Sequence, residues 1–215
     1  MDKSTAKNQH GFEDSTSRSL IARLQQNDAP AWKELVSLYS PLIFYWCRRL
    51  GLADQDCNDV TQEVFRSVVG NIASFQKQRD SDTFRGWLRT VTRNKVIDFF
   101  RRNEKQTSAA GGSTAYGRMA QMPDADDVFL QQDEEELRQE HALFMRAIDL
   151  IRDDFTDKTW NAFWEVVVNG LSAPEAGKRL GMKSGAVRVA KSRVIKRLRL
   201  QLGDELDTVP QKDIV

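Results

Sequence analysis

Nine lysines and arginines fall between Lys178 and Arg199, and no carboxylate interrupts them. The chemistry open to such a run is neutralisation of phosphate, each contact releasing a condensed counterion from a nucleic-acid backbone. The surrounding pattern supplies geometry. Ser172 and Glu175 stand as S-x-x-E, a capping box in which the serine oxygen accepts a first-turn N–H and the carboxylate reaches back to the serine N–H. Pro174 suits the first turn, Ala176 and Leu180 face inward, and Gly181 suits a left-handed helix end. Ser184 is expected to cap a second helix, on which Val187, Ala190 or Lys191, Val194, Leu198 and Leu202 recur at helical steps. A capped helix, a glycine turn and a basic helix make a helix-turn-helix. The competing reading is a solvated basic face, or an electrostatic mate for the acidic stretch Asp124–Asp157, which carries a net −9.

A second concentration of charge lies earlier. Arg85, Arg89, Arg93, Lys95, Arg101 and Arg102 are opposed by Asp98 alone. Arg85, Arg89 and Arg93 step by four, which predicts a stripe opposite the Phe84–Leu88–Val91 face. Trp87, Phe99 and Phe100 are interleaved with these cations, and rings beside cations suit single-stranded nucleic acid. Taken alone, such aromatics are more often core. Asp59, Gln62, Glu63 and Arg66 lie at i, i+3, i+4 and i+7, one polar face of a helix.

Other chemistry lacks its residues. No Walker loop or G-x-S-x-G pattern is present, so neither a nucleophile nor a phosphate cradle supports an enzyme. Neither His10 nor His141 has a plausible Cys or carboxylate constellation at ligand spacing, and Cys47 and Cys57 cannot make a four-ligand zinc site by themselves. No metal and no cofactor are expected. Cys47 reads as a small core residue, and Cys57 as a first-turn residue whose thiolate would be somewhat favoured. The 215 residues carry a formal charge of only +1. That total excludes a uniformly basic protein, but it is a cancellation of +9 over Lys178–Arg199, +5 over Arg85–Arg102 and the acidic stretch between them. No apolar run approaches the ~20 residues of a membrane span, and Met1–Ser19 has no signal-like apolar segment, so a soluble, cytoplasmic chain without membrane insertion is expected.

Helices must position these groups. Leu20, Ile21 and Leu24 mark a short one; Asp28 then looks like an N-cap with Pro30 in the first turn. Trp32, Leu35, Val36, Tyr39, Ile43, Trp46 and Leu50 form one stripe, with a kink expected at Pro41 and a stop at Gly51. A third helix after Asp54 turns Val60, Val64, Phe65, Val68 and Ile72 inward, and a fourth after Asp82 turns Phe84, Trp87, Leu88, Val91, Ile97 and Phe100 inward. Residues 104–127, with Ala-Ala-Gly-Gly-Ser-Thr-Ala and Pro123, have linker composition. Helical spacing resumes near Val128: Leu137, Phe144, Ile148 and Ile151 share one long helix with an acidic start, and Trp160, Phe163, Trp164 and Val167 the next, which Gly170 ends. The expectation is an all-α chain of two small helical domains: a tail over 1–16, a bundle over 17–103, a flexible linker over 104–127, a helix-turn-helix domain over 128–203 and a tail over 204–215.

Asp59-Val-Thr-Gln62-Glu63-Val-Phe65, followed by Phe84-Arg-Gly-Trp87-Leu88-Arg-Thr-Val91-Thr-Arg-Asn94-Lys95-Val-Ile-Asp98-Phe-Phe-Arg-Arg102, resembles region 2 of sigma-70-type transcription initiation factors. The helix-turn-helix resembles their region 4, and the absence of a folded segment between the two is similar to the extracytoplasmic-function (ECF) group. The resemblance covers about Ser17 to Leu202. It implies a bacterial sigma factor, free as a monomer, that binds core RNA polymerase, recognises promoter −35 and −10 elements, melts DNA and starts transcription. It implies docking of Asp59, Gln62, Glu63 and Arg66 on the clamp helices of the largest polymerase subunit, with Phe65 packed inward. It implies capture of the melted non-template −10 strand by Arg79, Arg85, Arg89, Arg93, Asn94 and Lys95. For −35 duplex the reachable candidates are Lys183, Ser184, Arg188, Lys191, Ser192 and Arg193. Val189-Ala190 departs from the Ser-Arg pair common in the family, so contacts do not carry over position by position. An anti-sigma protein is a further partner that the resemblance allows. The alternatives are a free-standing helix-turn-helix regulator without polymerase docking and a DNA-processing enzyme.

Overall fold

A computed structural model of the chain describes residues 19–76, 83–108 and 134–202. Every regular element among them is helical: α1 Leu20–Gln25, α2 Ala29–Arg49, α3 Asp54–Asn71, α4 Phe84–Ser108, α5 Glu134–Ile151, α6 Asp157–Val167, α7 Ala173–Leu180 and α8 Ser184–Leu202, with short 3-10 turns at Ile72–Ser74 and Arg152–Asp154. The chain divides into a central unit, Trp32–Leu143, and a terminal unit made of Met1–Ala31 with Phe144–Val215. These divisions fall inside α2 and α5, whereas composition drew them at 103/104 and 127/128. Composition marks where a chain is polar. It does not show which helices share a core.

In the central unit, α2 runs through Pro41 without interruption. It buries Leu35, Leu38, Tyr39, Leu42, Ile43, Trp46, Cys47 and Leu50, a wider stripe than the expected one, while Val36 is 44% exposed. The helix α3 turns Cys57, Val60, Val64 and Val68 inward and packs on α4, with Phe65 half-buried. On α4 the buried positions are Phe84, Leu88, Thr92 and Val96, a strict step of four. Trp87 and Val91, expected inside, are half-buried. Thr92 completes the stripe because its hydroxyl donates to the Leu88 carbonyl at 2.8 Å, so no buried polar group is orphaned there. Tyr39, Phe75, Phe84 and Trp87 stack edge to face or tilted, with centroids 5.1–5.6 Å apart. Tyr39 and Phe84 are core, and Phe75 and Trp87 cover them half-buried.

In the terminal unit, α6, α7 and α8 pack on one another around Ala162, Ala176, Val187 and Ala190, with Val166, Leu171, Leu180 and Met182 at the margin. Small residues at the centre let the three helices approach closely. The C-terminal half of α5 contributes Phe144, Ala147, Ile148 and Ile151 to the buried set. The short helix α1, capped by Ser19 Oγ accepting from the Ala22 N–H at 3.2 Å, packs against α8 through its buried Leu20 and Leu24 side.

Candidate nucleic-acid interface

The helix-turn-helix is held by local chemistry. The Ser172 N–H donates to Glu175 Oε2 at 2.9 Å, and Ser172 Oγ accepts from the Glu175 N–H at 3.4 Å, so the reciprocal box forms. The Ser172 hydroxyl also donates to Glu175 Oε2 at 2.6 Å, and this bond, followed by that from the Ser172 N–H, holds the Glu175 carboxyl below its usual range. At the other end of α7, Gly181 takes φ +61, and the Met182 N–H donates to the Gly177 carbonyl at 2.8 Å. Gly177 is the constraint that the sequence reading missed. A Cβ built there would lie 2.6 Å from the Met182 carbonyl oxygen. Only glycine lets the turn fold back onto α7 so tightly. One expectation is corrected: Ser184 is the first residue of α8, not its cap, since the Lys183 carbonyl accepts from the N–H groups of Ala186 and Val187.

The helix α8 buries Val187, Ala190, Val194 and Leu198 and presents the opposite side. Lys183, Arg188, Ser192 and Arg193 are exposed, and Ser184 and Lys191 are half-buried. All six −35 candidates therefore lie on one segment, with Arg188, Ser192 and Arg193 together on its outer face. Acidic groups of the same unit do pair with cations of this run: Arg179 meets Glu165 at 3.2 Å, and Arg197 meets Asp154 at 2.7 Å.

The central unit corrects the reading of the first arginine stripe. Arg85 and Arg89 do not stand out in solvent; their side chains are 16% and 22% exposed. The cause is Glu136, on the acidic start of α5, which is fully buried and accepts from Arg89 and, at 2.7 Å, from Arg49. Arg85 lies 3.6 Å from Glu136 and donates to Glu140. Arg49 also donates to the Tyr45 hydroxyl at 3.1 Å, and the Arg89 guanidinium sits 5.3 Å from the centroid of Trp46. Burial lowers the Arg89 pKa, which Glu136 opposes. The acidic helix start thus has a mate forty to ninety residues upstream.

Of the remaining −10 candidates, Asn94 is exposed and Arg93 half-buried, and Arg79 lies outside the described residues. Lys95 lines an open cleft of about 300 Å³ together with Glu63, Asp98, Arg101 and Arg102. The structure therefore brings one docking candidate and one −10 candidate to a common cleft. Asp59, Gln62 and Arg66 remain exposed on α3, and Arg66 pairs with Glu63 one turn away. Cys47 and Cys57 are both buried and reduced. Burial pushes the Cys47 thiol up to about 12, and it raises Cys57 as well, reinforced by Asp54, so the first-turn preference for thiolate is overridden. Among the described residues no cluster of His, Cys, Asp or Glu could hold a metal, and no helix is long and apolar enough to cross a membrane.

Residues 35–106, from within α2 through most of α4, match the family Sigma-70 region 2. The curated relatives carry one name throughout. The chain is 31% identical over 82% of its length to the ECF RNA polymerase sigma factor SigE of Mycolicibacterium smegmatis, of which it spans 62%. It is 27% identical over 84% of its length to ShbA of Streptomyces griseus, spanning 92% of that protein. The chain is thus similar over most of its length to ECF RNA polymerase sigma factors, and over residues 35–106 to Sigma-70 region 2. A third relative of this family, SigW of Bacillus subtilis, is 25% identical over 86% of the chain and is spanned to 95%. Among solved structures, a chain of the RsbN–BldN complex aligns over 83% of this one at 20% identity, with a TM-score of 0.34. The region 2 match contains the docking-candidate helix α3 and most of the arginine-bearing helix α4. The helix-turn-helix lies beyond it.

Proposed function

We propose that this chain is an ECF-type sigma factor that binds core RNA polymerase, recognises promoter DNA through α8 and the exposed end of α4, and supports promoter opening. The observation that carries the reading is the pairing, in one chain, of a region 2 bundle with a capped helix-turn-helix whose outer face is cationic. It performs no bond chemistry of its own and works where core polymerase and promoters are, in the bacterial cytoplasm. In this reading Asp59, Gln62 and Arg66 meet the polymerase, and Glu63 lies at the border of that surface. The −10 role rests on Asn94 and Lys95, with Arg93 beside them, because Arg85 and Arg89 are engaged by Glu136.

Run-off transcription with core enzyme on a randomised promoter library tests the whole proposal. Specific initiation that depends on the added chain is the expected result, and none at any promoter would overturn it. Gel filtration with core enzyme separates this reading from a free-standing regulator, for which no co-elution is expected. Replacing Gln62 and Glu63 together by alanine should weaken core binding by about tenfold, the order reached when one or two exposed polar contacts of ~1 kcal/mol each are lost. Titration of labelled chain with core enzyme reads this, and unchanged affinity would move the docking face elsewhere. Replacing Lys191 and Arg193 by alanine should flatten the salt dependence of duplex binding by roughly one unit of log–log slope per lost phosphate contact. An unaltered slope would mean that neither side chain reaches the backbone.

A further inference from the structure

The outer face of α8 carries one large apolar side chain among its cations. Val189 is 52% exposed, while Val187 and Ala190 on either side of it are buried. It sits one turn after Gly185 and one turn before Ser192 and Arg193, beside Arg188, all of them exposed. The first turn of the helix is small, Ser184-Gly185-Ala186, and nothing lies within 4 Å of a Cβ placed on Gly185. A small first turn lets the helix come close to base edges, with Arg188 and Arg193 left to flank it. Nothing polar is available at position 189 to read a donor or acceptor. The one apolar feature on the major-groove edge of DNA is the thymine 5-methyl group.

We propose that Val189 is a specificity-determining residue that packs against a thymine methyl in the −35 duplex. The assignment rests on α8 being the recognition helix. It gives position 189, which carries no hydrogen-bonding side chain, an apolar means of selecting a base. Substitution at an exposed position leaves the packed core of the unit intact.

The test uses the full chain bound to core RNA polymerase and the promoter fragment it selects from a randomised library. Each thymine of the selected −35 element is replaced in turn by uracil, which lacks only the methyl. One replacement is expected to weaken binding by the wild-type chain about fourfold, the worth of one methyl-sized group kept from water. The same replacement should cost Val189→Ala less than twofold, and Val189→Ser should no longer select thymine at that position when the library is reselected. Specific binding that is indifferent to every uracil, or an equal loss in wild type and Val189→Ala, would overturn the proposal and leave the −35 reading standing. No selected −35 element at all would overturn that reading and this assignment with it.

Discussion

Glu136→Ala is expected to destabilise the central unit by roughly 3 kcal/mol, the lower end of what breaking a buried ion pair costs. The lower end applies because the arginines keep some contact with water: Arg49, Arg85 and Arg89 are 15%, 16% and 22% exposed at the side chain. Removing the carboxylate leaves these guanidiniums crowded beside one another in a partly dry site, and their mutual repulsion adds to the lost bonds. Denaturant unfolding followed by tryptophan fluorescence reads the loss, since Arg89 lies over the Trp46 ring and Trp46 is fully buried. The same substitution made in an Arg89→Ala background should cost at least 1 kcal/mol less, in the range found for residues sharing one network. Equal costs in the two backgrounds would mean that Glu136 and Arg89 are neighbours without coupling.

The second large effect is expected at Gly177. Gly177→Ala places a methyl 2.6 Å from a backbone oxygen, Met182 O, in the turn between α7 and α8. Backbone cannot step aside as a flexible side chain can, so α8 must shift relative to α7, at a cost of about 2 kcal/mol. The shift also moves Arg188 and Arg193 with the helix that carries them, so −35 duplex binding should fall at least tenfold. Gly181→Ala is the informative comparison. Its φ of +61 strains any side chain, but nothing lies within 4 Å of the added methyl, so the expected cost is nearer 1 kcal/mol and DNA binding is largely kept. Thermal melts and duplex titrations on both variants check the pair. If Gly177→Ala were as mild as Gly181→Ala, the turn would have slack that its geometry does not suggest.

What was legible in the sequence follows the range of the interaction. The Ser172–Glu175 box spans three residues, so its two hydrogen bonds were readable from residue types and spacing. The helix end at Gly181 was readable for the same reason, and its φ is positive; α6 stops at Val167, three residues before Gly170. The inward phase of α4 was half legible. A hydrophobic count favours Trp87 and Val91, but the actual stripe passes through Thr92, whose buried hydroxyl is satisfied within the helix. The arginine stripe was misplaced because nothing local shows that a carboxylate 47 residues away, Glu136, will fold over Arg89. Gly177 was invisible because its constraint comes through space, from Met182 across the turn. Within the candidate interfaces, the positions were legible and the engagement of their charges was not.

The two cysteines give the central unit an internal clock. Cys47 and Cys57 have no exposed surface, and the Cys47 thiol is held near 12, so almost none of it is thiolate at neutral pH. An alkylating reagent reaches these sulfurs only when the packing of α2 against its neighbours opens. The rate of labelling then measures how often that core breathes, in the manner of a protected amide exchanging with solvent. Because the network around Glu136 ties α4 and the start of α5 to Arg49 at the end of the same α2 helix, each change in that network is recorded as a change in thiol lifetime, without any added probe.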